Sequence, residues 1–274
     1  MDSSFWEAVI LGLVQGLSEF LPISSSGHLV LVQSLFNIKE PEVFFDLVLH
    51  LGTLLAVTYY YRAEVLGLLS ETRRFASPRS LPLSYKIRPI FRLGVLIILG
   101  SVPTAVIGFI FQDFLSSLFS SLNAVGVNLI FTAAFLIVAS FFTRVKYKTE
   151  LEFPASLAIL IGVFQGLAIA PGLSRSGLTI SVAIVLGLER VLAARYSFLL
   201  SLPAIVGGLI LSHPLMGQSH FPPSSLAAGF VAAAALGYLS LRVLNVILVK
   251  DRFHYFAPWC LCAGLLCLWL AGSS

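Results

Sequence analysis

Ser25 and His28 stand three residues apart beside an interruption in an apolar stretch, and Gln15 and Glu19 lie four residues apart just upstream. On a helix that begins near Ser25 the His28 imidazole can reach the Ser25 hydroxyl, which supplies a nucleophile and a base. Gln15 and Glu19 share one helical face, so an amide and a carboxylate project together. Far along the chain Ser174, Arg175 and Ser176 form a second polar interruption, with Thr179 four residues after Arg175. Hydroxyls, a fixed positive charge and helix N-termini are the components of an anion site, because free backbone N–H groups and the positive dipole end face the ligand. Each group also has an ordinary structural use. A serine in an apolar helix bonds back to its own backbone, a lone histidine satisfies an interhelical contact, and Glu19 with Arg175 could brace two segments as an ion pair. Their joint occurrence at two matched interruptions favours chemistry. Asp46 and His50, one turn apart, read instead as helix-end or interhelical polar contacts.

The elements that must position these groups are membrane helices. The chain has 274 residues, 58% hydrophobic and 11% charged, with a mean hydropathy of +0.95. Soluble domains are about a quarter charged, so a soluble enzyme and a disordered chain are both excluded. Six stretches are long enough to span or nearly so: Val43 to Arg62, Ile90 to Phe111, Leu122 to Thr143, Tyr196 to Ser212, Leu226 to Val249 and Phe256 to Ala271. Two further apolar regions are broken, Phe5 to Phe36 by Leu21 to His28 and Phe153 to Leu188 by Ala170 to Gly177. Their halves are short for spans and suit re-entrant hairpins, whose irregular backbone needs protein or a wet cavity around it. Ionisable residues at such depth are functional candidates by default.

Shifting the sequence by 150 residues superposes the two interruptions without a gap. Gly12, Gln15, Gly16, Leu17, Ser24, Ser26 and Gly27 meet Gly162, Gln165, Gly166, Leu167, Ser174, Ser176 and Gly177. Each half is then one hairpin and three spans, an odd number of crossings, so the halves (1–143 and 154–272) must be inverted within a single membrane domain. The special site of such a repeat is expected near the midplane, at the repeat interface. The basic residues collect on one face, which reads as cytoplasmic and puts both termini outside. The linker Glu71 to Arg92 reads as a solvated loop on that face, near anionic headgroups. The net charge of +4 is thereby topological, and no nucleic-acid partner is expected. Cys260, Cys262 and Cys267 read as packing residues, and the acidic segment Met1 to Glu7 is not a cleavable signal peptide.

The motifs Gln15-Gly16-Leu17-Ser18-Glu19-Phe20-Leu21-Pro22-Ile23-Ser24-Ser25-Ser26-Gly27-His28 and Pro171-Gly172-Leu173-Ser174-Arg175-Ser176-Gly177-Leu178-Thr179 resemble the two signatures of the undecaprenyl-diphosphate phosphatases of the bacitracin-resistance type. The resemblance covers the whole length. It implies hydrolysis of undecaprenyl diphosphate to undecaprenyl phosphate and inorganic phosphate at the outer face of the plasma membrane, helped by Mg2+ or Ca2+, to recycle the carrier for cell-wall glycans. It makes Glu19, Ser25, His28 and Arg175 essential and Ser174, Ser176 and Thr179 diphosphate-binding. Ser24, Ser26 and Gly27 join the substrate-binding set, and Glu19 with Gln15 would hold the cation. Many members have Glu where this chain has Gln15, which leaves Glu19 as the only carboxylate and weakens a two-carboxylate metal site. The expected fold is an all-α polytopic membrane protein with six transmembrane helices and two re-entrant hairpins in an inverted repeat. The partners are the polyprenyl diphosphate, membrane lipids and the chain itself as a homodimer. A transporter or flippase of the lipid phosphate is the rival from another class, since broken helices in inverted repeats are the usual transporter plan.

Overall fold

A computed structural model describes residues 3–36, 38, 43–75, 88–142, 144–211 and 221–273. The first apolar region folds as α1 (Ser3–Phe20) and α2 (Ser25–Leu35), and the second as α8 (Ala155–Leu167) and α9 (Arg175–Val185). Proline sets both breaks. Pro22 and Pro171 lack a backbone N–H and push the preceding residue out of the helical region, so neither helix can continue through them. Gly172 then takes φ +89°, a left-handed turn that suits glycine.

Between and after these hairpins run α3 (Val43–Tyr60), α4 (Arg62–Phe75), α5 (Pro89–Ile110), α6 (Gln112–Leu118), α7 (Leu122–Ser140), α10 (Arg190–Leu211), α11 (Pro223–Val249) and α12 (Ala257–Ser273), the last preceded by a 3-10 turn over Phe253–Phe256. Among the described residues the only β pairing is an isolated bridge from Tyr147 to Leu188. Among the described residues five segments are long and apolar enough to cross a membrane: α5, α7, α10, α11 and Phe253–Gly272. A sixth is counted only if α3 is taken with α4, from which it is bent by 84°. The described residues are therefore all-helical, with five or six candidate spans. The bend falls where the sequence changes character: α4 carries Arg62, Glu64, Glu71, Arg73 and Arg74.

Two expected boundaries move. The linker expected as loop from Glu71 is still helical to Phe75 and helical again from Pro89, and Arg88 donates to Glu71 at 2.9 Å; its middle lies outside the described residues, as does most of the loop His213 to Ser225. α10 starts at Arg190, before the apolar stretch expected from Tyr196, because Arg190 and Arg195 find carboxylate partners in Asp251 and Glu150.

Small residues let the long helices touch. α1 lies along α11 and α8 along α5, with Gly12 against Gly229, Gly16 against Ala233, and Gly162 against Gly100. Lipid provides no hydrophobic force between helices, so close packing of this kind is what associates them. A methyl at Gly162 would sit 2.8 Å from the Cα of Gly100. Gly162→Val is expected to lower the Tm in detergent, at a cost of about 1–3 kcal/mol or more for overpacking. Gly207→Ala, where an added carbon meets nothing within 4 Å, is expected to hold or raise it; equal melting of the two variants would show that the contact does not organise the fold.

The two hairpin tips meet. A carbon built on Gly27 would lie 3.1 Å from the Cα of Gly172. The Ser176 hydroxyl donates to the Leu21 carbonyl at 3.3 Å and that of Ser24 to the Leu173 carbonyl at 3.5 Å.

Candidate active site

Each tip is built by a capping serine. Ser24 Oγ accepts the Gly27 N–H at 3.3 Å and Ser174 Oγ accepts the Gly177 N–H at 3.0 Å, satisfying donors that a helix N-terminus otherwise leaves free. Each cap also lies 3.3 Å from a second hydroxyl, Ser24 from Ser26 and Ser174 from Ser176. The second tip is pinned by α7, whose Asn128 amide donates to the Pro171 carbonyl at 2.7 Å and whose Thr132 hydroxyl donates to Gly172 at 3.1 Å. The first tip differs in one respect. Ser24 has φ 70°, a conformation that a residue with a Cβ adopts at some cost and that gathers at functional sites. Its carbonyl receives two bonds from His28, the backbone N–H at 3.2 Å and ring Nδ1 at 2.8 Å.

Glu19 ends α1 with its carboxylate buried between the tips. One oxygen, Oε1, is ion-paired with Arg175, the first residue of α9. The other, Oε2, accepts the Ser25 hydroxyl at 2.6 Å and the Gln15 amide N–H at 3.0 Å. The structure thus brings Glu19, Ser25, Arg175 and Gln15 into one cluster, across 156 residues of sequence between Glu19 and Arg175. The hydroxyl of Ser25 faces this carboxylate and not His28. His28 turns its Nδ1 back to Ser24 and its Nε2 to the indole N–H of Trp259, at 2.9 Å.

Thr179 is placed differently from the expected anion ligand. It is fully buried, donating to the Arg175 carbonyl at 2.7 Å with Ser197 Oγ at 2.5 Å, so it ties the start of α9 to α10. Two further residues at or beside the cluster had no place in it from the sequence. His50, which read as a helix contact, has Nε2 3.7 Å from Glu19 Oε2 and Nδ1 2.7 Å from the Asp46 carbonyl. Its signal was an ionisable side chain inside a span. Trp259, in the last helix, gave none.

Two oxygens could serve a divalent cation here. Gln15 Oε1 is buried with no hydrogen-bond partner, beside the Glu19 carboxylate, and such an orphan oxygen suits Mg2+ or Ca2+. The described residues hold no group of three or more His, Cys, Asp or Glu, so most of the ligands to such an ion would be oxygens of the substrate and water.

Residues 8–266 match the family model described as bacitracin resistance protein BacA. The chain is 43% identical over 267 residues to a protein named undecaprenyl-diphosphatase from Desulforapulum autotrophicum, an alignment covering 95% of this chain and 96% of the relative. It is 40% identical over 276 residues to one of the same name from Carboxydothermus hydrogenoformans, covering 98% of each, and 36% identical over 269 residues to another from Methanosphaera stadtmanae, covering 96% and 97%.

Proposed function

Because the chain belongs to the bacitracin resistance protein BacA family, we propose that it is a membrane phosphatase that hydrolyses undecaprenyl diphosphate to undecaprenyl phosphate and inorganic phosphate, recycling the carrier for cell-wall glycans and conferring bacitracin resistance. The observation that carries the reading is the Ser25 hydroxyl 2.6 Å from a carboxylate oxygen of Glu19 whose other oxygen faces Arg175. That is a nucleophile with its base and a phosphate-sized cation in contact.

The diphosphate draws Arg175 as its counter-charge, with Ser174, Ser176, Ser24, Ser26 and the N-terminal ends of α2 and α9 around it. Ser25 Oγ attacks the terminal phosphorus while Glu19 takes the hydroxyl proton. The bond to the bridging oxygen breaks, and the lipid monophosphate leaves with the electron pair. Glu19 passes that proton to the departing lipid phosphate and, a carboxylate again, takes one from a water that attacks the phosphoserine; the bond from phosphorus to Ser25 Oγ breaks, inorganic phosphate leaves, and Glu19 returns the proton to Ser25. His28 braces the Ser24 carbonyl behind the nucleophile. Glu19 and Gln15 would hold a bound Mg2+ or Ca2+, which supplies neutralisation of the phosphate charge. Thr179 acts by fixing the helix that presents Arg175.

The halves 1–143 and 154–272 form one membrane domain as inverted repeats, each with a re-entrant hairpin. What supports this is the single offset of 150 residues together with equivalent caps, Ser24 on Gly27 and Ser174 on Gly177. The collection of Arg62 and Arg73 on α4, Arg190 and Arg195 at the start of α10, Arg242 in the last third of α11, and Lys146, Lys148, Lys250 and Arg252 on connecting segments supports a cytoplasmic location for that face and an outward-opening site in the plasma membrane.

Purified protein in detergent is expected to release phosphate from undecaprenyl diphosphate and none from the monophosphate. With a soluble short-chain prenyl diphosphate added outside, intact spheroplasts should release phosphate and sealed inverted vesicles should not. No release in detergent would favour a transporter, and the opposite sidedness would turn the site toward the cytoplasm.

A further inference from the structure

We propose that Trp259 is a positioning residue of this site, acting on the nucleophile through His28 and the backbone of Ser24. The inference rests on the phosphatase reading above, since it assigns a role at the same site to a residue outside both signature motifs. An indole N–H can only donate. The bond of 2.9 Å from Trp259 Nε1 to His28 Nε2 therefore fixes Nε2 as the unprotonated nitrogen. The proton of the neutral ring must then sit on Nδ1, where it donates to the Ser24 carbonyl at 2.8 Å. A tautomer is set by the bond that the other nitrogen makes. The two rings are coplanar within 8° and side by side, with centroids 6.1 Å apart, the arrangement of an in-plane hydrogen bond.

The chain of contacts ends at chemistry. The Ser24 carbonyl that receives the ring proton belongs to the residue held at φ 70°, and Ser25, the next residue, carries the hydroxyl that meets Glu19. Loss of the indole donor lets the imidazole take the other tautomer, which puts a lone pair against the Ser24 carbonyl. The strained turn loses a support and the Ser25 hydroxyl its aim. Position in the fold agrees. α2 and α12 both pack on α7, through Leu31, Val125, Leu129 and Cys267, and Trp259 is 58% exposed on the outer surface of α12. Nothing about its own packing demands a tryptophan there.

The test uses the full chain in detergent. Trp259→Phe keeps an aromatic ring and removes the donor. It is expected to lower kcat for phosphate release about 10-fold or more, the size seen when the partner that orients a functional imidazole is removed, with KM within about twofold and an unchanged Tm. The second arm needs no turnover. In a Trp6→Phe, Trp269→Phe background Trp259 is the only tryptophan, and His28→Ala should shift its emission to the blue as the indole loses its acceptor. A kcat for Trp259→Phe equal to wild type, or Trp259 emission identical with and without His28, overturns the proposal. If the wild type releases no phosphate but the emission shift is present, it is the phosphatase reading that fails, and the contact stands.

Discussion

Ser25→Ala is expected to reduce phosphate release by about 10,000-fold or more, the order seen when an enzyme's nucleophile is deleted, while the protein folds and melts as the wild type does. The side chain is small and sits at the first position of α2. Its removal takes one of several donors from Glu19, which keeps Arg175 and Gln15, so the stability change is that of one hydrogen bond, about 1 kcal/mol. Rate and stability are therefore expected to separate cleanly. Single-turnover phosphate release on the purified variant is the measurement, with a trapped phosphoserine in wild type as the companion observation. A variant that turns over at even a tenth of the wild-type rate would make water the direct attacker.

Glu19→Gln is expected to lose about 100- to 10,000-fold in kcat, the range associated with a general base. A second effect distinguishes it from Ser25→Ala. The amide is nearly isosteric but neutral, so Arg175 loses its counter-charge in a largely buried setting, where removing one partner of an ion pair costs about 3–5 kcal/mol. Wild-type substrate restores an anion to that guanidinium. The variant should accordingly show a lowered Tm that rises on adding diphosphate lipid by more than the wild type's does. Retention of near-normal kcat would assign the Ser25 proton to another group. A Tm unaffected by the substitution would show that Arg175 draws its compensation from elsewhere.

The interruptions and their residues were legible because they violate the surrounding pattern. Pro22, Pro171 and the serines around them cannot belong to a continuous lipid-facing helix, and the expected helix start near Ser25 agrees with α2. The pairing of Glu19 with Arg175 had been readable only as an alternative, since spacing along one chain says nothing about contacts between two hairpins. His28 is placed otherwise than its spacing suggested. Three residues from Ser25 on a helix it looked like the base, but a residue four positions earlier offers its carbonyl along the same face, and the imidazole bonds to Ser24 instead. The contact of Thr179 with Ser197 was not legible either, because no local pattern links the two hydroxyls. The bend after Tyr60 and the helical continuation to Phe75 were missed because charge marks where a chain leaves lipid but not whether it stays helical. The Trp259 contact, 231 residues from His28, exists only in three dimensions.

The bond between Glu19 and Arg175 also fixes an order of events during biosynthesis. The two residues are separated by 156 positions, and ribosomes add about 5–20 residues per second, so the first hairpin is made roughly 10 to 30 s before its cation emerges. In that interval Glu19 can meet only groups of the nascent first half, Gln15, Ser25 and then His50. An unpaired charge at the centre of a bilayer costs at least about 2.5 kcal/mol. With the first hairpin inside the membrane, as proposed above, it is expected to be insecure in its final position when it leaves the ribosome. It settles when the second tip arrives, which makes docking of the two tips a late step in assembly and a truncated first half a poor resident of the membrane.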